Sequence, residues 1–273
     1  MIVAGIDIGS RNSKAVIMED GRISSYAICD TGPESAKTAS TVTDEALKGT
    51  GLLLRDITYV VATGYGRVLV PFAEETITEI SCHAKGAHWY FPTARTILDM
   101  GGQDCKAINC NERGQVTKFV MNDRCAGGTG RFLELMAELF RIPLEQIGEV
   151  ALQSERTIPF TTGCALYAKS EAMSLLKKGE SKKDLLAAIH VILSARSLDL
   201  LRRISIEADF VISGGVSKNI GMVTKLREKV GLEPLIAPEP LIIGAVGAAL
   251  FAEERFQNQM VCPGAFRSKS SFM

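Results

Sequence analysis

Short apolar runs recur along this chain in one order, twice. Near the N-terminus, strand-like stretches fall at Ile2–Ile8, Ser13–Glu19 and Arg22–Cys29, broken by turns at Gly9 and Gly21. A helix over Glu34–Gly49, a strand over Ile57–Ala62 and a helix over Thr76–His88 come next. The pattern then restarts, with strands at Arg95–Met100, Cys105–Cys110 and Gln115–Met121. From Thr129 to Arg141, Phe132, Leu133, Met136, Leu139 and Phe140 fall on one side of a helical wheel. Further helices read at Lys169–Lys178, Lys182–Arg203, Asn219–Val230 and Pro240–Gln257, with strands at Ala208–Ser213 and Pro234–Ile236.

The two halves share more than order. Asp7-Ile8-Gly9-Ser10-Arg11-Asn12-Ser13-Lys14-Ala15-Val16 returns, position for position, as Asp99-Met100-Gly101-Gly102-Gln103-Asp104-Cys105-Lys106-Ala107-Ile108. An internal repeat of this kind defines a fold. Glycine after a strand-end Asp lets the backbone turn sharply and come close to a ligand. The amides and hydroxyls beyond it can wrap phosphate oxygens, and the Asp is placed to hold a metal directly or through water. Two such loops facing each other would clamp a nucleotide.

Three antiparallel strands followed by helix-linked parallel strands, duplicated, describe an α/β protein of mixed sheets with flanking helices. The ligand is expected in a cleft between the halves, near the carboxyl ends of the first strands. The expected division is 1–92, 93–257 and a disordered tail over 258–273.

Composition narrows this further. The 273 residues include 31 basic and 31 acidic side chains, which argues against nucleic-acid binding or a polybasic membrane patch. No apolar run reaches the roughly 18 to 20 residues of a membrane span. Leu241–Phe251, rich in Gly and Ala, reads as a buried helix. The first strand begins at once, leaving no room for a signal peptide, so a cytoplasmic location is expected. Seven cysteines there are not a disulfide framework.

There is neither a G-x-x-x-x-G-K-[ST] loop nor a G-x-G-x-x-G after a strand. A third candidate loop is Asp209-Phe210-Val211-Ile212-Ser213-Gly214-Gly215-Val216-Ser217-Lys218-Asn219, an apolar strand running into a glycine pair and a helix. Bare backbone at Gly214 and Gly215 admits a base and ribose, and the helix terminus adds amide donors. Gly244-Ala245-Val246-Gly247 offers a fourth small-residue segment with close access to the same site.

This arrangement resembles the actin, Hsp70 and sugar-kinase superfamily, with its ribonuclease H-like duplicated fold, two phosphate loops and an adenosine loop. The resemblance runs to about Phe251 and implies ATP or ADP as ligand. It implies that Gly9, Ser10, Arg11, Asn12, Ser13 and Lys14 line the phosphates from one side and Gly101, Gly102 and Gln103 from the other. Asp7 would stand near Mg²⁺ through water, and Gly214, Gly215, Asn219 and Gly244 would border the nucleoside. Either Asp104 or Gln103 would orient the attacking water. Lys106 matches Lys14, yet at a strand start it reads equally well as a solvated surface lysine.

Cys29, Cys82, Cys105 and Cys110 fall inside strands or a helix and read as core, while Cys262 lies in the tail. Cys105 and Cys110, an odd number apart on a strand, face opposite sides and cannot chelate together. Cys82, His83 and His88 are too poorly aligned on a helix for a metal site. Cys125 opens a glycine-rich loop ahead of a helix, where the dipole lowers a thiol pKa. Cys164 sits in Thr161-Thr162-Gly163-Cys164-Ala165, again before a helix. Two thiolates are half the ligand set of an iron–sulfur cluster, and two subunits related by a two-fold axis would supply four.

Asp99-Met100-Gly101-Gly102-Gln103-Asp104, Asn122-Asp123-Arg124-Cys125-Ala126-Gly127-Gly128-Thr129-Gly130-Arg131-Phe132 and the Cys164 loop with Ala168-Lys169-Ser170-Glu171 resemble the BadF/BadG/BcrA/BcrD ATPase family. That family includes activators of 2-hydroxyacyl-CoA dehydratases and ATPase subunits of benzoyl-CoA reductase. The resemblance implies a [4Fe–4S] cluster bridging two protomers through Cys125 and Cys164, in a homodimer or pseudo-symmetric heterodimer. It implies ATP-driven passage of a low-potential electron from ferredoxin or flavodoxin to an acyl-CoA dehydratase or reductase. Lys169 departs from the family form, in which an acidic residue is commoner. The sequence leaves activator and reductase subunit unseparated. A sugar kinase of the same superfamily and an actin-like scaffold are the competing readings, and both leave the cysteine pair unused.

Overall fold

The computed structural model describes residues 1–122, 129–161 and 164–261. In chain order the strands are β1 (Ile2–Ile8), β2 (Asn12–Glu19), β3 (Arg22–Asp30), β4 (Tyr59–Thr63), β5 (Glu75–Thr76), β6 (Thr96–Met100), β7 (Cys105–Cys110), β8 (Val116–Asn122) and β9 (Phe210–Ser213). The helices are α1 (Ser35–Leu47), α2 (Glu79–Tyr90), α3 (Gly130–Phe140), α4 (Ile147–Leu152), α5 (Ala165–Lys177), α6 (Lys182–Leu201), α7 (Ile220–Val230) and α8 (Ile243–Val261).

The chain forms two compact units, Met1–Cys82 with the segment from Gly244, and His83–Ile243. The first holds a sheet in the order β3-β2-β1-β4-β5, the second a sheet in the order β8-β7-β6-β9. In each, two antiparallel pairings precede a parallel one, β1 with β4 and β6 with β9. This is the duplicated ribonuclease H-like arrangement the repeat predicts. The duplication reaches into the irregularities. The β2–β3 ladder shifts register between Ile17 and Met18, and the β7–β8 ladder between Asn109 and Cys110, the matching positions of the repeat.

β1, β4, β6, β7 and β9 are buried along almost their whole length, which is why they read as continuous apolar runs. Edge strands β3 and β8 carry exposed residues instead. In the first unit Ile6, Ile8, Ile17, Ala39, Val42 and Val60 form one core. In the second, Phe132, Leu133, Met136 and Phe140 of α3 bury against Leu98, Leu186, Ile189 and Phe210. Leu139 is only partly buried at the edge of that face.

Four expectations are corrected. The last helix belongs with the first unit, not the second, because Gly5 of β1 leaves no room for a Cβ against the Ala245 and Ala249 backbone of α8. The boundary near residue 92 moves to Cys82, within α2. The expected strand at Pro234–Ile236 reduces to one bridge, Val211 to Leu235. Helix α8 continues through Asn258 to Val261, so the expected tail does not start at Asn258; Cys262 and the residues after it lie outside the described residues. Helix α4 escapes a periodicity search because six residues show too little of any period. Among the described residues no helix is long and apolar enough to cross a membrane.

Candidate functional site

The first loop spans Gly9–Arg11 between β1 and β2. The hairpin register sets Asp7 opposite Lys14, and their charged atoms stand 3.3 Å apart. Gly9 has no space for a side chain: an added Cβ would meet the Asn12 carbonyl at 2.7 Å and the Lys14 Nζ at 3.3 Å. Thr31 Oγ1 donates to the Gly9 carbonyl (2.8 Å), so the short contact of 2.7 Å between Ser13 and Thr31 has the Ser13 hydroxyl as donor. Ser13 is fully buried. Its hydroxyl therefore braces the loop from behind, through Thr31. Ser10 and Lys14 are partly exposed and Arg11 is exposed. Asn12 holds Asp30 (3.1 Å).

A second turn of the same unit closes over this loop. Gly64 takes a positive φ of 83° and lies against the Asp7 carboxylate and the Ile8 carbonyl. The Gly66 amide donates to the Ile8 carbonyl (2.9 Å), and Arg67 fastens the Gly64 carbonyl (2.9 Å) to Glu79 (3.2 Å).

The second loop, Gly101–Asp104, repeats the design with a stronger buried charge cluster. Asp99 faces Lys106 across the β6–β7 hairpin, and Lys106 also binds Asp104. All three are buried. Lys106 is therefore no solvated surface lysine; two carboxylates pair the ammonium that burial would otherwise penalise. The Gly101 amide donates to the Asp104 carbonyl (3.0 Å), and a Cβ on Gly101 would collide with the Asp104 carboxylate. Between the two candidates for orienting water, Asp104 is buried and committed to Lys106, while Gln103 is exposed on the loop.

The third loop comes after β9. Gly214, at φ 81°, is buried against the Met100 carbonyl and the Asp99 carboxylate, leaving Gly215 as the exposed glycine of the pair. Asn219 caps α7: its Oδ1 accepts from the Met222 amide (3.0 Å) and lies 3.0 Å from His190 Nε2. His190 Nδ1 is 2.7 Å from the Leu186 carbonyl, and burial pulls the pKa of this histidine down. The Asn219 Oδ1 is thus engaged at the helix end. Gly244 is also buried. Three residues on, Gly247 rests against the Cys82 carbonyl, so this small-residue segment also serves helix packing.

Two backbone hydrogen bonds tie the second loop to the start of α3. The Gly130 amide donates to the Gly101 carbonyl and the Arg131 amide to the Gly102 carbonyl, each at 2.9 Å. These are the first amides of the helix, groups that have no partner within it. No local pattern in the chain signals this link.

Of the cysteines, Cys125 lies outside the described residues. Cys164 is exposed at the N-cap of α5 with no side-chain capping bond. Cys82, Cys105 and Cys110 are buried core residues and Cys29 is partly buried. Desolvation pushes the Cys82 and Cys105 thiols up to about 12. His83, next to Cys82, turns to Ser213 (3.1 Å) and Asp99 (3.6 Å).

The sequence profile of the BadF/BadG/BcrA/BcrD ATPase family matches residues 4–252. An activator of lactoyl-CoA dehydratase from Anaerotignum propionicum is 42% identical over 260 residues, covering 95% of this chain and 100% of that one. The crystal structure of (R)-2-hydroxyglutaryl-CoA dehydratase component A from Acidaminococcus fermentans superposes with a TM-score of 0.89 at 36% identity, covering 93% of this chain and 98% of that one. The activator of the 2-hydroxyisocaproyl-CoA dehydratase from Clostridium difficile, with bound ADPNP, superposes with a TM-score of 0.90 at 35% identity, covering 99% and 100%. With the family profile spanning nearly the whole chain and both halves of the fold in place, this protein belongs to the BadF/BadG/BcrA/BcrD ATPase family.

Proposed function

We propose that this chain is an ATP-driven activator of a 2-hydroxyacyl-CoA dehydratase, taking electrons from a reduced ferredoxin or flavodoxin. The observation that carries the reading is the pair of bonds from Gly130 and Arg131 to Gly101 and Gly102. Through them, a loop shaped for phosphate and the helix beyond the Cys125 loop are one hydrogen-bonded piece. Movement of the loop on ATP hydrolysis is then felt at the start of α3.

In this reading the backbone at Gly9, Ser10, Gly101 and Gly102 and the Lys14 ammonium hold the phosphates of ATP. Asp7 holds Mg²⁺ through water, with Lys14 balancing its charge. Gln103 orients the attacking water, and the exposed backbone of Gly215 borders the nucleoside. Cys164, exposed and uncapped at a helix N-terminus, fits a thiolate ligand. Together with Cys125 and the same pair from a second copy, it would hold a [4Fe–4S] cluster. Such a cluster, when bound, supplies a one-electron carrier of low potential. The buried Cys82, Cys105 and Cys110 thiols stay protonated and take no part.

The test is anaerobic purification and reconstitution of Cys164→Ala beside the unmodified chain. Loss of iron–sulfur absorbance and of ATP-dependent reduction of a dehydratase, with ATP hydrolysis retained, is the expected result. A Cys164→Ala protein that keeps both would sink the proposal.

A further inference from the structure

Behind the second loop lies a buried charged cluster for which the proposed chemistry has no use. Lys106 sits between Asp99 (3.4 Å) and Asp104; Ser213 Oγ donates to Asp99 Oδ1 (3.2 Å); His83 Nδ1 lies 3.1 Å from Ser213 Oγ, with Nε2 3.6 Å from Asp99. The Ser213 hydroxyl has one hydrogen, and it goes to Asp99, so His83 Nδ1 carries the proton between them. Every member is buried.

The cluster touches two ligand loops from beneath. On one side the Asp104 carboxylate occupies the space a Cβ on Gly101 would need. On the other, Asp99 Oδ1 would stand 2.8 Å from a Cβ on Gly214. Both glycine backbones therefore rest directly on carboxylates of one lysine. A charge-paired group in a tightly packed interior has few alternative positions, so a shift at one carboxylate is passed to the other.

We propose that Lys106, with Asp99 and Asp104, is a positioning centre that fixes the phosphate loop at Gly101 and the nucleoside loop at Gly214 to one another. This rests on the reading of those loops as nucleotide-binding. Lys14, its counterpart in the repeat, pairs with Asp7 and is partly exposed. The two copies of one lysine thus have different tasks: Lys14 meets the ligand and Lys106 holds its site in shape.

The experiment uses probes that each meet a single loop, adenosine for one and inorganic pyrophosphate for the other, titrated by calorimetry into the full chain. Asp104→Asn keeps the size of the side chain and an acceptor for Lys106. Although adenosine has no group to meet the phosphate loop, its affinity falls about three- to tenfold in this variant. Reciprocally, Ser213→Ala on the nucleoside side weakens pyrophosphate by a similar factor. Circular dichroism confirms that both variants are folded. Losses confined to the probe of the altered loop would overturn the coupling while leaving the nucleotide reading intact. An unmodified chain that binds neither ADP nor adenosine would overturn both.

Discussion

Lys106 and Asp99 stand 3.4 Å apart at the same hairpin register at which Lys14 and Asp7 stand 3.3 Å apart, but only the second-copy pair is closed to solvent on both sides. Breaking a buried pair by removing one partner leaves an uncompensated charge, at about 3–5 kcal/mol. Lys106→Met leaves two such carboxylates. Its unfolding free energy, read from urea denaturation, is expected to drop by about that amount or more. Lys14→Met, at a partly solvated pair, is expected to lose about 1–2 kcal/mol. Equal losses would show that burial of the second pair contributes nothing.

Gln103 and Asp104 are adjacent in sequence, yet one is exposed and the other buried against Lys106. If Gln103 orients water, Gln103→Ala lowers kcat for ATP hydrolysis by about a hundredfold or more, with KM changed little. Steady-state phosphate release measures this. A Gln103→Ala protein that hydrolyses ATP at the normal rate would remove Gln103 from the role.

The buried thiols give a pH dependence with a definite sign. Cys82 and Cys105 titrate at about 12 in the folded protein, against 9.0 for an unburied thiol. A raised pKa means the folded state keeps its proton where the unfolded chain has lost it. Stability is therefore full below pH 9 and falls as pH rises from 9 toward 12, by up to about 1.4 kcal/mol per pH unit for each thiol. Urea midpoints across this range check the slope, which Cys105→Ala should reduce. His190 acts at the other end. Its folded pKa is lowered from 6.5, so stability is present above that value and falls on acidification below it. His190→Gln is expected to flatten the acid limb.

The repeat is the most legible feature because both halves of a duplicated hairpin keep their glycines and their strand-end Asp. Even the register is implicit. A turn centred between residues 10 and 11 sets Asp7 opposite Lys14, and the same offset sets Asp99 opposite Lys106. The burial of Lys106 is not legible, since a lone lysine at a strand start reads as surface until its two carboxylates are seen together. His83 and Ser213 are hidden for a different reason: they meet across 130 residues of chain, beyond any local pattern. The packing of Gly247 on the Cys82 carbonyl is not legible, because small residues in a helix look the same whether they admit a ligand or a neighbouring backbone. The capping role of Asn219 is not legible either, because helix capping and ligand contact both favour a short polar side chain before a helix.

One of the two hydrogen bonds that link the second loop to α3 can be removed at a single residue. Gly130 is the first residue of α3, after the N-cap Thr129, whose ψ of 168° is extended. Proline is well tolerated at that position, where the amide has no partner inside the helix, and an extended residue before it is what proline requires. Gly130→Pro thus removes the donor and, with its ring where the amide hydrogen pointed, pushes the Gly101 carbonyl away, while the hydrogen bonds within α3 and the Arg131–Gly102 bond remain. If that bond passes the state of the loop to the helix, the variant hydrolyses ATP at a rate within a fewfold of the parent. It then delivers far fewer electrons to the dehydratase per ATP, a ratio obtained by measuring phosphate and reduced acceptor in one anaerobic assay. An unchanged ratio would mean that the Gly130–Gly101 bond does not carry the coupling.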